Sequence, residues 1–284
     1  MDSTDRFLLV DGHHLVHRTY NALPRSIVGI DGAPIQGVYG FVGALLRLLR
    51  RFTPTHLAVP FDPPEPPFRR ALFPAYRTGR PRGTPEEVAN FDRQVAQVFQ
   101  ALDHLAISYP MAAGYEADDA IGTLAAAATT AGVPVTIVSG DRDLLQVVGP
   151  QVELFMPKGQ DGETCTPAVV QERWGVRPDQ FIDLKALIGD ASDHIPGVPG
   201  IGPKTAATLL ARHGTIDALY AALPSLPARQ ADLLRAHQER VYLNRRLVTI
   251  VTSVSLPTEI EEYRWARTEL WTARTLLATL GLRH

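Results

Sequence analysis

The chain has 284 residues, of which 45% are hydrophobic and 20% are charged, and its formal net charge is −2. This composition is typical of a soluble globular protein with one large domain or two ordinary ones, and it excludes a disordered chain. No apolar run reaches the about 20 residues that span a bilayer, the N-terminus lacks a signal-peptide pattern, and the single cysteine, Cys165, excludes an internal disulfide. We therefore expect a cytoplasmic protein without membrane contact.

Short apolar runs alternate with helical patterns in the first half of the chain. Three of these runs are typical of buried parallel strands: Phe7 to Val10, His56 to Phe61 and Val135 to Val138. The acids that follow these runs are Asp11, Asp62, Asp141 and Asp143. Because ligands bind beyond the carboxyl ends of parallel strands, we expect an α/β fold with a mostly parallel sheet and these acids at its binding edge.

Three further carboxylates, Glu116, Asp118 and Asp119, lie directly before or within the first turn of a predicted helix that extends to Ala131. Acids at a helix N-terminus complement the helix dipole and cap free N–H groups, which is one explanation for them. Three acids this close also repel each other unless a cation or a proton relieves them. The stretch alone leaves capping and metal binding open.

A proline-rich segment from Pro63 to Pro85 interrupts the regular pattern, and we expect it to be a long functional loop rather than a core element. Between Phe68 and Gly83 this segment contains several arginines and no acid. The arginines are Arg69, Arg70, Arg77, Arg80 and Arg82. A helix is predicted to follow, with Thr84 as N-cap and Glu87 at the third position.

The second half is predicted to be helical from residue 164 onwards, so we place domains at 1–163 and 164–284. Two acids, Asp190 and Asp193, precede a glycine-rich turn from Gly197 to Gly202 and the pair Lys204 and Thr205. Such a turn lets backbone N–H groups approach a phosphate closely, whereas a simple helix–turn–helix junction is the alternative. A Walker loop is rejected because Pro203 stands between the glycine and the lysine and the segment before the turn is predicted to be helical.

Eight motifs occur together in chain order: Asp11-Gly12, Tyr39-Gly40-Phe41, Val59-Pro60-Phe61-Asp62, Tyr76-Arg77-Thr78-Gly79-Arg80, Gly114-Tyr115-Glu116-Ala117-Asp118-Asp119, Ser139-Gly140-Asp141-Arg142-Asp143, Gly189-Asp190 with Asp193, and Gly197 to Lys204. In this set the chain resembles the 5′–3′ exonuclease and flap endonuclease superfamily, and in particular the 5′-nuclease domain of bacterial DNA polymerase I. The resemblance extends from about Phe7 to about Leu256. Since the chain ends at His284, we expect a free-standing nuclease.

The resemblance implies a PIN-like α/β domain with a helical arch at about 63–90, then a helical subdomain with a helix–hairpin–helix variant at about 189–214. It also implies two divalent-metal sites, with Mg²⁺ expected and Mn²⁺ as an alternative. The first set of ligands would be Asp11, Asp62, Glu116, Asp118 and Asp119, and the second would be Asp141, Asp143, Asp190 and Asp193. All nine positions keep an acid. Zinc is not expected because no histidine–cysteine constellation is present, and we expect His13 and His14 to be structural.

The same resemblance implies DNA contacts. We expect phosphate contacts from Arg69, Arg70, Arg80 and Arg82, with a solvated surface role as the alternative for each, and base stacking by Tyr76. The hairpin would hold the duplex backbone, with K⁺ as a further cofactor, through Gly200, Ile201, Gly202, Lys204 and Thr205.

Two positions depart from the family pattern. Arg77 stands where the family has a catalytic lysine; arginine keeps the charge but does not readily release a proton, so we expect an electrostatic catalytic role. His194 follows Asp193 where asparagine is usual, and it either makes activity pH-sensitive or has no effect.

The leading interpretation is a monomeric, metal-dependent 5′-nuclease of DNA replication and repair that cleaves at DNA 5′ ends, nicks and flaps by two-metal hydrolysis. An RNA primer in an RNA–DNA hybrid is a further possible substrate. One alternative is a catalytically weak module that binds branched DNA, and another is a PIN-type ribonuclease. The retained acids argue against the first, and the hairpin motif argues against the second.

Overall fold

The computed structural model describes residues 5–78, 83–159, 161–266 and 273–282. The strands are β1 (Phe7–Val10), β2 (His56–Ala58), β3 (Val135–Val138), β4 (Val152–Lys158), β5 (Asp161–Cys165), β6 (Gly189–Asp190) and β7 (Ile195–Pro196). The helices are α1 (Gly12–Ala22), α2 (Gln36–Phe52), α3 (Phe68–Leu72), α4 (Pro85–His104), α5 (Ala117–Thr130), α6 (Pro167–Trp174), α7 (Phe181–Ile188), α8 (Pro203–His213), α9 (Ile216–Ala221), α10 (Ala228–Ala236), α11 (Gln238–Val248) and α12 (Ala273–Thr279). No helix of these described ranges is long and apolar enough to cross a membrane.

The chain divides into two compact units, each built from separate segments. Unit 1 takes Met1–Pro64, Pro81–Gly140 and Thr252–His284, and unit 2 takes Glu65–Arg80 and Asp141–Val251. The division places the first predicted set of acids in unit 1 and the second set in unit 2. The domain boundary at 163 and 164 stays a prediction.

Unit 1 contains three parallel strands in the order β2-β1-β3. Phe7 lies opposite His56 on one side and Val135 on the other, so the strands start in register. All four residues of β1 are buried, as expected for a central parallel strand between two layers of helices. The predicted fold class, a mostly parallel sheet with flanking helices, is confirmed.

Helix α4 of unit 1 begins at the capping residues that the sequence predicts. The Thr84 side chain accepts from the Glu87 backbone N–H at 3.2 Å, and the Glu87 carboxylate accepts from the Thr84 N–H at 2.9 Å. These two bonds form the predicted capping box at the start of α4. Further along α4, the buried Gln94 accepts from the Gly37 N–H at 2.6 Å, which ties α4 to the start of α2.

Unit 2 combines the antiparallel pair β4 and β5 with the helices α3 and α6 to α11. The strand β5 was not predicted, because its residues Asp161 to Cys165 are mostly polar and only one of the five, Cys165, is buried. The proline-rich segment also differs from expectation. It contains the short helix α3, and Tyr76 is buried in a cluster with Ile195 and Leu247.

The short pair β6 and β7 forms a tight antiparallel hairpin between α7 and α8. The two chain segments approach so closely at Gly189 and Gly197 that a Cβ atom at either position would collide with backbone atoms of the other segment. Gly189 also has a φ of 74°, a left-handed conformation that favours glycine. The sequence at these two positions is therefore fixed by backbone packing.

Candidate metal centre

Asp11, at the carboxyl end of β1, caps a helix and is also a candidate metal ligand. It is the N-cap of α1, where its Oδ1 accepts from the His14 N–H at 2.9 Å. Its Oδ2 accepts from the Ser139 hydroxyl, just after β3, at 2.7 Å. Because the side chain is only 5% exposed, these two donors fix its orientation.

The start of α5 gathers the other acids of unit 1. Asp62 Oδ1 accepts from the Ala117 N–H at 2.7 Å, so an acid that follows β2 caps this helix. Asp119 Oδ2 accepts from the Glu116 N–H at 3.0 Å, and both Glu116 and Asp119 are buried while Asp118 is half-buried. Capping by these carboxylates is therefore observed, and their role as metal ligands stays a prediction.

The second predicted set meets in unit 2. Asp143, Asp190 and Asp193 each offer a carboxylate oxygen, and these oxygens lie within 4.8 Å of one another. Within the described residues, this is the one cluster of three or more metal-ligating side chains that is this tight. Asp141 supports it, since its Oδ1 accepts from the Asp143 N–H at 2.9 Å.

Sequence reasoning missed a lysine in this cluster. The Lys185 ammonium donates to Asp143 Oδ1 and to Asp190 Oδ2, and the three side chains are 12–13% exposed. Lys185 belongs to α7, and Asp143 lies 42 positions away in the chain, so local spacing does not reveal the contact. The available indication was a single basic residue within the otherwise largely apolar segment Phe181–Ile188.

Burial and charge shift the pKa values of this cluster in opposite directions. Burial raises the pKa of Asp143 to about 7 against the opposing effect of Lys185, and the carboxylates of Asp141 and Asp190 add to the rise. Burial also acts on Asp190, but hydrogen bonds from Lys185 and Ser192 outweigh it and lower the pKa of Asp190 to about 2. The two carboxylates raise the pKa of Lys185 despite its burial. The negative charge is therefore held more firmly on Asp190 than on Asp143, and a nearby cation stabilises the ionised form of both carboxylates.

Arg77 lies at the same cluster. Its Nε donates to Asp193 Oδ1 at 2.9 Å, and its backbone N–H donates to the Asp193 carbonyl at 3.2 Å. The side chain is 18% exposed, and the backbone φ of 52° is unusual for a residue other than glycine. The structure thus holds the guanidinium beside the acids, and its electrostatic role in catalysis stays a prediction.

Two expected DNA contacts need correction. Arg69 is 3% exposed, and its guanidinium donates to the carbonyls of Leu247 and Thr249 at 2.7 and 2.8 Å. Tyr76 is 2% exposed, so its ring faces contact protein and are closed to a base. Both residues instead anchor the proline-rich segment within unit 2. Arg70 is half-buried, and Arg80 and Arg82 lie outside the described residues.

The glycine-rich turn leads directly into α8. Gly200 has a φ of 80°, and Gly202 is the N-cap of α8, whose first residue is Pro203. Ile201 is 5% exposed and anchors the turn, whereas Gly200, Gly202, Lys204 and Thr205 are exposed. An exposed helix N-terminus with a lysine and a hydroxyl is suited to a phosphate, and contact by Ile201 would be through its backbone.

The residues of the second set fit a hard divalent cation. All the donors are carboxylate oxygens, which Mg²⁺ and similar ions prefer. The Lys185 ammonium lies between two of the acids, so these carboxylates already bind one positive charge. The cluster is therefore able to hold a cation, and Asp143, Asp190 and Asp193 are its available ligands.

A largely parallel sheet with acids beyond its strands, together with a compact acid cluster, defines a nuclease-like fold with a metal-binding centre. Two family models divide the chain between them. The 5′-3′ exonuclease N-terminal resolvase-like domain matches residues 6–175, and the 5′-3′ exonuclease C-terminal SAM fold matches residues 176–270. The chain therefore belongs to the 5′-3′ exonuclease family.

Curated relatives agree with this assignment. The thermostable DNA polymerase I of Thermus filiformis is 42% identical over 279 residues, which cover 97% of this chain and 32% of that protein. The thermostable DNA polymerase I of Thermus aquaticus is 38% identical over 259 residues, covering 91% and 30%. The chain thus spans about a third of the length of these relatives.

Solved structures share the fold at lower identity. The T5 D15 protein co-crystallised with metal ions superimposes with a TM-score of 0.73 at 24% identity, covering 87% of this chain and 90% of that one. The catalytic core of Rad2 in complex with DNA substrate gives 0.63 at 17% identity, covering 97% and 87%. These likenesses concern the fold.

Proposed function

We propose that this protein hydrolyses phosphodiester bonds at DNA 5′ ends, nicks and flaps, as a metal-dependent 5′–3′ exonuclease and structure-specific flap endonuclease. Family membership supplies the reaction class, and the cluster of Asp143, Asp190 and Asp193 is the observation that carries the proposal to this chain. Related structures described as complexes with DNA substrate and with DNA and metal ions support a DNA substrate. We place the protein in the cytoplasm as a monomer.

We further propose Mg²⁺ as the cofactor, with Mn²⁺ as a substitute. Bound divalent ions would supply a metal-activated hydroxide and neutralise charge on the phosphate during cleavage. The first set, Asp11, Asp62, Glu116, Asp118 and Asp119, would hold one ion. The second set, Asp141, Asp143, Asp190 and Asp193, would hold the other, directly or through water.

The other residues then act on the substrate. The Arg77 guanidinium lies beside Asp193 and would stabilise negative charge on the scissile phosphate. The exposed Gly200, Gly202, Lys204 and Thr205 would bind the duplex backbone through N–H groups, an ammonium and a hydroxyl, with K⁺ as a bridging ion. Such contacts recognise the shape and the ends of DNA and carry no base sequence information.

A single cleavage assay tests the proposal. A 5′-labelled flap, a nicked duplex and single-stranded RNA would each be incubated with Mg²⁺, with Mn²⁺ and with EDTA. We expect cleavage of both DNA substrates with either metal and none with EDTA. Binding of the flap without any metal-dependent cleavage would overturn the proposal in favour of a DNA-binding module, and cleavage of RNA alone would favour a ribonuclease.

A further inference from the structure

The sheet of unit 1 extends beyond β2 through a short extended segment. The Val59 N–H donates to the Ser108 carbonyl at 2.9 Å, and the Phe61 N–H donates to the Pro110 carbonyl at 3.1 Å. A parallel bridge also joins Ser108 to the last residue of β2. Because the partners advance by two residues on both chains, the pairing is that of parallel strands. Residues 107–111, which we term the edge segment, therefore form the outer edge of this sheet among the described residues.

The edge segment directs backbone groups away from the sheet. Alternate residues of an extended strand point their N–H and C=O groups to opposite sides. Since the Ser108 and Pro110 carbonyls face β2, the N–H and C=O of Tyr109 and the N–H of Met111 face outwards. None of these three outward groups makes a hydrogen bond within the described residues. Pro110 lacks its N–H on the side of β2, so the outward donors are intact.

A groove of about 620 Å³ lies against the edge segment. Its second wall is formed by Leu256, Pro257 and Tyr263, and the Tyr263 hydroxyl donates to the Pro257 carbonyl at 2.8 Å. The ring of Tyr109 is also held in place, because it stacks on Phe99 with the centroids 5.0 Å apart. The volume is in the range of ligand sites, which is about 300–1,000 Å³. The groove is thus formed before any ligand binds.

The groove is acidic. Asp103 is exposed, and it is the one charged side chain among the described residues that line the groove. The hydrogen bond to Asp103 raises the pKa of Tyr109, and burial followed by the charge of Glu262 raises the pKa of Tyr263 to about 12. These carboxylates favour a positively charged ligand.

We propose that the edge segment binds an extended, basic peptide segment of a partner protein, which adds a strand to the sheet of unit 1. An extended backbone supplies the donors and acceptors that an unpaired edge requires, and the apolar wall accepts alternate side chains. Asp103 pairs with a lysine or arginine of the peptide. None of the proposed metal ligands lines the groove, so the partner would leave both sets of acids accessible.

Fluorescence anisotropy with a synthetic probe tests the site. The probe is a short fluorescein-labelled peptide in which valine and threonine alternate between two terminal lysines. We expect the unaltered protein to bind it with a Kd below about 1 mM. Peptides methylated on the backbone nitrogens of one or the other alternate set should differ, because only one set faces the edge. Methylation of that set should weaken binding about tenfold, as for loss of two hydrogen bonds.

Asp103→Asn tests the charge of the groove. The amide oxygen can still accept from the Tyr109 hydroxyl, so the groove should keep its shape while the charge is lost. We expect the variant to bind the lysine-flanked peptide about three- to fivefold more weakly. Asp92→Asn, at an exposed acid of the same helix, is the matched control and should bind like the unaltered protein.

Amide hydrogen exchange locates the bound peptide. The N–H groups of Tyr109 and Met111 should exchange more slowly when the peptide is bound, whereas the Val59 N–H is already bonded and should not change. No saturable binding up to about 1 mM, or equal binding of a peptide with glutamates in place of its lysines, would overturn the inference. Slow exchange of both N–H groups before the peptide is added would also overturn it, since a second copy or another segment would then occupy the edge.

Discussion

The acids of unit 1 and those of unit 2 are stabilised by different kinds of donor. In unit 1, Asp11, Asp62 and Asp119 accept hydrogen bonds from backbone N–H groups, and Asp11 also accepts one from the Ser139 hydroxyl. In unit 2, Asp143 and Asp190 share the Lys185 ammonium. Asp193 pairs with the Arg77 guanidinium. Uncharged donors orient one set, and cationic side chains partly neutralise the other.

This difference has a chemical consequence for metal binding. A backbone N–H orients a carboxylate and leaves its full negative charge available for an ion. An ammonium between two carboxylates already supplies a positive charge, so an incoming ion must share or displace it. We therefore expect metal ions to act as catalytic groups in unit 1 and to exchange with an internal cation in unit 2.

The largest effect is expected for Asp11→Asn, which tests unit 1. The amide keeps the shape and can still accept from the His14 N–H, so folding should be retained while a charged ligand is lost. We expect the rate of flap cleavage in Mg²⁺ to fall on the order of a thousandfold. Asp92→Asn, at an exposed acid of α4, is the matched control and should retain full activity. Full activity in Asp11→Asn would remove Asp11 from the ligand set.

Arg77→Ala tests the charge that faces the unit 2 acids. Loss of one stabilising cation should lower kcat roughly a hundredfold, while DNA affinity should change much less, because the contribution is made during the reaction. Single-turnover cleavage and anisotropy measure the two quantities. Arg229→Ala, at an exposed arginine, should alter neither. An equal loss in rate and in affinity would show that Arg77 serves binding.

Lys185→Met tests whether metal and lysine exchange. Without metal, the variant leaves two largely buried carboxylates close together without their cation, and we expect its free energy of unfolding to fall by about 3 kcal/mol. Added Mg²⁺ should then raise the Tm of this variant more than that of the unaltered protein. Lys204→Met, at an exposed lysine, should have the same Tm as the unaltered protein, both without metal and with added Mg²⁺. Equal Mg²⁺-induced shifts in all three proteins would contradict the exchange.

The smallest effect is expected at His194, which follows Asp193. Its φ of 59° is left-handed, a conformation that asparagine adopts more readily than most residues. His194→Asn should therefore increase the free energy of unfolding by about 0.5 kcal/mol or less. Since the side chain is exposed, we expect the pH–rate profile to stay the same. A displaced profile would instead support a pH-sensitive role.

Local patterns were sufficient for much of the fold. The run Phe7 to Val10 became β1 without any change of bounds, and Val135 to Val138 became β3. The capping box at Thr84 and the acids at the start of α5 were also predicted, because strand burial and helix capping depend on neighbouring residues. These elements place the acids of unit 1.

Contacts distant in sequence account for what was missed. Lys185 meets Asp143 across 42 positions, and Arg69 meets the Leu247 carbonyl across 178. An arginine in a proline-rich segment is ordinarily expected at the surface, and the carbonyls of Leu247 and Thr249, which are distant in sequence, accept its hydrogen bonds in the interior. Tyr76 was misassigned for the same reason, since its partners Ile195 and Leu247 come from later segments.

The contact between Gly189 and Gly197 has a consequence for inherited variation. If every amino acid were sampled at every position and folded variants were selected, we expect that only glycine would be recovered at these two sites. Alanine, usually the mildest replacement, would be rejected there because its methyl group has no space. Positions without a side chain would thus be among the least tolerant in the chain, whereas the nearby exposed Ala191 would accept many replacements.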